Sequence, residues 1–263
     1  MSAFLRKLGL GGGKTTLGVS RSLLFNCKSH ASHEDWFSVN KGWVGTDFRS
    51  RHSILLTHIW LIHKRLLLCG DNSAKKQGLA IQESMFDELW DDTSIRIREA
   101  GINELSINKY LTQVQGYSFK ACVELDEALT KPTRDEKVEE IAGVMWRAVY
   151  NKRDEVEEDR VLTLADYVHN EHTSLLQVPD DAMLEGRVAF SPAPTFQARP
   201  GASGYGGGLG KTPPSTTIED LLAGAEGKDE WKKATAATGR TYYFNVKTRE
   251  TRWNLPEGGS PAN

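Results

Sequence analysis

A chain of 263 residues with 39% hydrophobic content is long enough for one large domain or two smaller ones, each around a buried core. Its 33 Lys and Arg against 35 Asp and Glu leave no charge excess with which the whole molecule could hold nucleic acid nonspecifically. The three cysteines, Cys27, Cys69 and Cys122, are odd in number and outside any C-x-x-C spacing, so they indicate neither a disulfide framework nor a zinc ribbon and fit a reducing compartment.

Residues 1–40 form a basic segment leading into the body. Between Met1 and His33 stand Arg6, Lys7, Lys14, Arg21 and Lys28 with no Asp or Glu, a charge pattern like that of a presequence. Residues 41–190 read as a helical domain, because apolar residues recur at helical spacing from about Thr46 to Thr173 with almost no Pro. The first predicted helix is Phe48 to Leu68, with Asp47 as its cap and Gly70 just past its end. Its apolar run Ile54 to Leu68 is too short for a membrane crossing and contains His58, His63, Lys64 and Arg65, so it reads as a buried helix. A second helix runs from Asn72 or Ser73 to Ala100 and stops at Gly101, with Ile81, Met85, Leu89 and Trp90 as a core-facing stripe. Ser106 to Leu129, Arg134 to Tyr150 and Val161 to Leu176 follow, and five such helices make a mostly α, bundle-like domain. Residues 191–217 turn to Pro, Gly, Ser and Thr, which cannot bury enough to order themselves and read as a flexible linker. Ile218 to Leu222 has the pattern of a single helical turn.

The last module, residues 229–257, has three short runs rich in Thr, Tyr and Trp separated by turn signals, and reads as a small all-β, three-stranded sheet. Alternation places Tyr243 on the face with Trp231 and Pro256, and Tyr242, Phe244 and Trp253 on the other. Three aromatics exposed on so few residues call for a ligand. The pattern resembles the WW domain, carried by Trp231, Tyr242-Tyr-Phe-Asn245, Trp253 and Pro256. That resemblance implies a proline slot between Tyr242 and Trp253, with Thr251 beside it and Phe244 extending the groove, while Trp231, Tyr243, Asn245 and Pro256 are structural. A proline-rich peptide suits such a groove because it is already extended. Val246 stands where many members carry His, which shifts the expected ligand from Pro-Pro-x-Tyr toward proline-leucine runs.

Single motifs of the helical body are bland. A lone His58 in mid-helix reads as a satisfied core residue, and the carboxylates of Asp91-Asp92 and Asp126-Glu127 point about 100° apart on a helix. In order, however, they resemble the ubiquinol-cytochrome c chaperones. The likeness starts at Phe4-Leu-Arg-Lys-Leu-Gly9 and Asp47-Phe48, and runs through His58-x-Trp60 and Leu89-Trp90-Asp91-Asp92 with Arg96. It continues in Asp126-Glu127, Ala142 with Met145-Trp146-Arg147, and Tyr167-Val168. Arg51-His52 replaces a Trp-Phe pair of the family and Leu125 a Tyr. The resemblance implies a non-enzymatic mitochondrial assembly factor on the matrix side of the inner membrane, which binds nascent cytochrome b during building of respiratory complex III. It also implies a small helical assembly partner and proximity to the mitochondrial ribosome and inner-membrane surface. The WW module would recruit a proline-rich partner, and the rival expectation is a WW-containing adaptor in signalling or RNA processing outside mitochondria.

Enzyme readings fail on spacing. Gly11-Gly-Gly-Lys-Thr-Thr16 and Gly208-Leu-Gly-Lys-Thr212 imitate phosphate loops, but Leu8 and Tyr205 occupy the first glycine position and no apolar strand precedes either. His169 and His172 with Asp166, and His30 with His33, are spaced like metal ligands and read instead as solvated histidines. No catalytic residue, metal or cofactor is expected.

Overall fold

The computed structural model describes residues 15–38, 44–153 and 156–196, together with the backbone of three strands at 231–235, 241–245 and 251–252. The chain divides into two units, Met1–Ser215 and Thr216–Asn263.

The first unit is helical. Its helices are α1 (Thr16–Ala31), α2 (Phe48–Leu67), α3 (Asn72–Glu99), α4 (Ile107–Leu129), α5 (Arg134–Ala148), α6 (Glu158–Leu176) and the short α7 (Asp180–Leu184). All five predicted helices are present as α2 to α6 within three residues at each end. Their caps follow from local chemistry. Asp47 accepts the amide of Ser50 at the head of α2, Asp71 that of Ala74 at the head of α3, and Thr133 forms a capping box with Glu136 on α5. Gly101, at φ +87°, adopts the left-handed turn that ends α3.

Helix α2 is the axis of the unit and packs against α1, α3, α4, α5, α6 and α7. Residues 52–62 are buried without a break, so the apolar run is a core helix, as its length and interrupting charges predicted. No helix among the described residues is long and apolar enough to cross a membrane. Around α2 the core gathers Trp36, Ile81, Met85, Leu89, Leu125, Ile141, Met145, Leu164 and Val168. Helix α1 was not predicted; it buries Val19, Leu23, Leu24, Cys27 and Ala31 against α2 and α3. Residues 188–196 run across the body as a strap: Asn26 donates to the Val188 carbonyl, Glu171 accepts the Ser191 amide, Ala193 is buried, and the Arg160 guanidinium sits 4.0 Å over Phe196.

The second unit is a three-stranded antiparallel sheet, β1 (Trp231–Thr235), β2 (Thr241–Asn245) and β3 (Thr251–Arg252), in the order β1-β2-β3. The all-β module expected from the sequence therefore has its predicted meander. The 197–217 part of the expected linker, the turn at 218–222, and Val246, Trp253 and Pro256 lie outside the described residues.

Candidate functional site

The family-motif residues of the body do not converge on one site. His58 and Trp60 are buried in α2. The Trp60 indole N–H donates to Asp126 at 2.9 Å, and Lys64 pairs with the same carboxylate at 3.1 Å. Asp92 holds Lys28 and, at 2.9 Å, Arg96. Arg147 pairs with Glu124 at 2.9 Å, and Trp146 packs half-buried on the core. Trp90 is also half-buried, while Asp91 and Glu127 are exposed. These side chains mostly tie helices together.

Two buried polar chains do the same at greater depth. In one, His58 Nδ1–H donates to the Ile54 carbonyl at 2.8 Å, so its Nε2 must accept the Tyr167 hydroxyl hydrogen at 3.0 Å. With that hydrogen taken, His30 Nε2–H donates to the Tyr167 oxygen, also at 3.0 Å. In the other, Arg96 donates to His52 Nδ1 at 3.2 Å, leaving His52 Nε2–H to donate to Ser118 at 3.0 Å. Burial drives both His52 and His58 down to about 3, with Arg96 adding to the effect on His52 and His30 to that on His58. Both are neutral at physiological pH. Burial also pushes the Cys122 thiol up to about 12, raises Cys27, and raises the Tyr117, Tyr150 and Tyr167 phenols. These histidines, thiols and phenols are thus held in their uncharged forms, which suits a structural seam and not a nucleophile.

The pairs considered as metal ligands are separated by other partners. Asp166 bonds Arg134 at 2.7 Å, His172 stacks on Trp60 at 6.3 Å, His33 faces Asp35 at 3.5 Å, and His30 bonds Tyr167. Among the described residues no three His, Cys, Asp or Glu gather to hold a metal ion. In the first phosphate-loop imitation Thr15 caps α1 by accepting the Gly18 amide, while residues 11–14 and the second imitation at 208–212 lie outside the described residues.

One outward surface stands apart. On α3 and α4 the rings of Phe86 and Trp90 lie 6.4 Å apart, and Trp90 meets Phe119 edge-on at 5.7 Å. Phe119 is 52% exposed and Val123, one turn along α4, is 56% exposed. Trp90, expected in the core stripe, is half-buried, and Phe86, Phe119 and Val123 belong to none of the sequence motifs. A signal was available: Phe119 and Val123 are out of phase with the buried row Val114, Ser118, Ala121 and Leu125.

In the C-terminal unit, Tyr242 and Phe244 are two residues apart on β2, and Phe244 stands opposite Thr251 on β3. Trp231 pairs with Asn245, and Tyr243 lies between Lys233 and Arg252 in register. Thus Tyr242, Phe244 and Thr251, three of the expected proline-contact positions, lie on neighbouring strands.

Comparison with known proteins agrees with this division. A family model described as ubiquinol-cytochrome C chaperone matches residues 43–190, more than half of the chain, and a WW domain model matches residues 228–256. The crystal structure of the Cbp3 homolog from Brucella abortus is similar in fold, with a TM-score of 0.57 and 18% identity over 72% of this chain and 94% of that one. No curated protein matches the sequence.

Proposed function

Since the chain belongs to the ubiquinol-cytochrome C chaperone family, we propose that it is a non-enzymatic assembly factor of ubiquinol-cytochrome c reductase that holds newly made cytochrome b in the mitochondrion, on the matrix side of the inner membrane. The observation that carries this reading is the match over residues 43–190, and the fold shared with the bacterial Cbp3 homolog supports it. Such a task needs surfaces, not a reaction centre. Cytochrome b is a membrane client, so what protects it before insertion is an apolar protein face in place of water. A small helical assembly partner, the mitochondrial ribosome and the inner-membrane surface belong to the same proposal. Trp60, Trp90, Asp92, Asp126, Trp146 and Arg147 serve it by fixing the helices, with His58 in their core and Asp91 and Glu127 on their outer edge.

The WW module recruits a proline-bearing protein to that work. Tyr242 and Trp253 grip a proline, Phe244 and Thr251 extend the groove, and Trp231, Tyr243, Asn245 and Pro256 maintain the sheet. Two experiments test the proposal. Crosslinking in intact mitochondria should recover nascent cytochrome b with the full-length protein, and cells lacking the protein should fail to accumulate assembled complex III. A cytosolic or nuclear signal alone, with normal complex III, would favour an adaptor in signalling or RNA processing. For the module, Trp253→Ala should abolish binding of a proline-leucine peptide while its melting is unchanged, and Trp231→Ala should unfold it; equal losses of melting would contradict that division of roles.

A further inference from the structure

We propose that the ridge on α3 and α4 docks an amphipathic helix from a partner protein, one whose apolar stripe is flanked by Lys or Arg. Two independent features meet there. The first is the continuous apolar surface of Phe86, Trp90, Phe119 and Val123, more than half open at its α4 end. Single exposed apolar residues, such as Leu105 elsewhere, need no explanation, whereas a contiguous aromatic patch does.

The second is charge. Glu83, Asp87 and Asp91 are exposed on α3 at i, i+4 and i+8, alongside Phe86 and Trp90. None of the three has an ion-pair partner among the described residues. Two neighbouring acids of α3 are paired: Glu88 with Arg21, and Asp92 with Lys28 and Arg96. Like charges one turn apart repel, so an unanswered acidic row beside an apolar ridge is a row whose counter-charges are missing.

That row selects the occupant. Anionic lipid headgroups carry the same sign and would be repelled. A second copy of this chain, seated by two-fold symmetry, would set the row against itself. A wholly apolar helix would cover the carboxylates without answering them. A helix with an apolar stripe and basic flanks satisfies both features, and the ridge of a helix pair is a surface that such a helix recognises. The inference does not depend on which client the chaperone holds.

The test uses the full chain and two synthetic amphipathic helices with the same leucine stripe, one flanked by Lys and one by Glu, each labelled for fluorescence anisotropy. The Lys-flanked peptide should bind about tenfold or more tighter, and should weaken as salt rises. Phe119→Ser with Val123→Ser should abolish that binding with the circular-dichroism melt preserved. Asp87→Lys with Asp91→Lys should reverse the preference between the peptides. Equal binding of both peptides would overturn the proposal. So would binding indifferent to the Phe119 and Val123 changes, tighter binding to vesicles containing phosphatidylglycerol, or a dimer that dissociates in the Phe119→Ser chain.

Discussion

Helix α2 and the α3–α4 pair are both rich in apolar residues, yet they meet different surroundings. Six helices enclose α2, so its hydroxyls and imidazoles must find partners inside the protein: Ser53 takes the Ala148 carbonyl at the end of α5, His58 takes Tyr167, and His52 takes Ser118 and Arg96. The α3–α4 pair has neighbours on one side only. There Ile81, Met85 and Leu89 of α3 and Val114 and Leu125 of α4 are buried, while the other side leaves Phe119 and Val123 open beside unpaired carboxylates. Except at Arg49 Nε and His63 Nδ1, which are buried without a partner, the polar groups named on this helix are answered from within the protein, and that marks an element that holds the fold. An apolar surface and a charge row left incomplete together mark an element that meets something else.

The contrast can be broken most directly at Trp60, whose indole is fully buried and donates to Asp126. Trp60→Ala should cost about 3–5 kcal/mol in urea unfolding, and a loss near zero would mean that α2 is not the axis described here. Acid should act next. The folded values of His52 and His58 lie near 3 against an ordinary 6.5, so below pH 6.5 the unfolded chain binds protons that the folded chain refuses. Their contribution is complete above pH 6.5 and is lost as pH falls from there toward 3, on the order of 1 kcal/mol per pH unit for each. Unfolding at pH 7 and pH 5 should show this slope, and His52→Gln should remove about half of it. Tyr167→Phe comes third, at about 1–3 kcal/mol, because it strands the acceptor of His58 and the donor of His30 together. The smallest effect belongs to the open side: Phe119→Ala should change stability by less than ~0.5 kcal/mol, and a larger loss would place that ring in the core.

The sequence carried the predicted helices plainly where a cap and a stripe coincide. Asp47 opens α2, Gly101 closes α3, and Val138, Ile141, Met145 and Val149 mark the buried side of α5 and its cap. It was silent where structure depends on distant partners. Helix α1 has Ser20 within its buried row and a glycine-rich approach in sequence, so its periodicity is faint until α2 and α3 cover it. The bond between Lys28 and Asp92 spans 64 residues, and that between His30 and Tyr167 spans 137, distances over which local pattern carries no information. His52, noted only as a departure from a family aromatic pair, is a buried junction because Ser118 and Arg96 reach it from two other helices. For the module, alternation along β2 conveyed the strand, and the register adds that Phe244 faces Thr251 across the sheet.

The strap at residues 188–196 has a mechanical consequence. It follows α7 and crosses α1 and α6, held by Asn26, Glu171 and Arg160. A pull applied at residue 196 meets these contacts before it reaches a helix end. The load is thereby shared among contacts to two helices, α1 and α6, before any helix end is pulled.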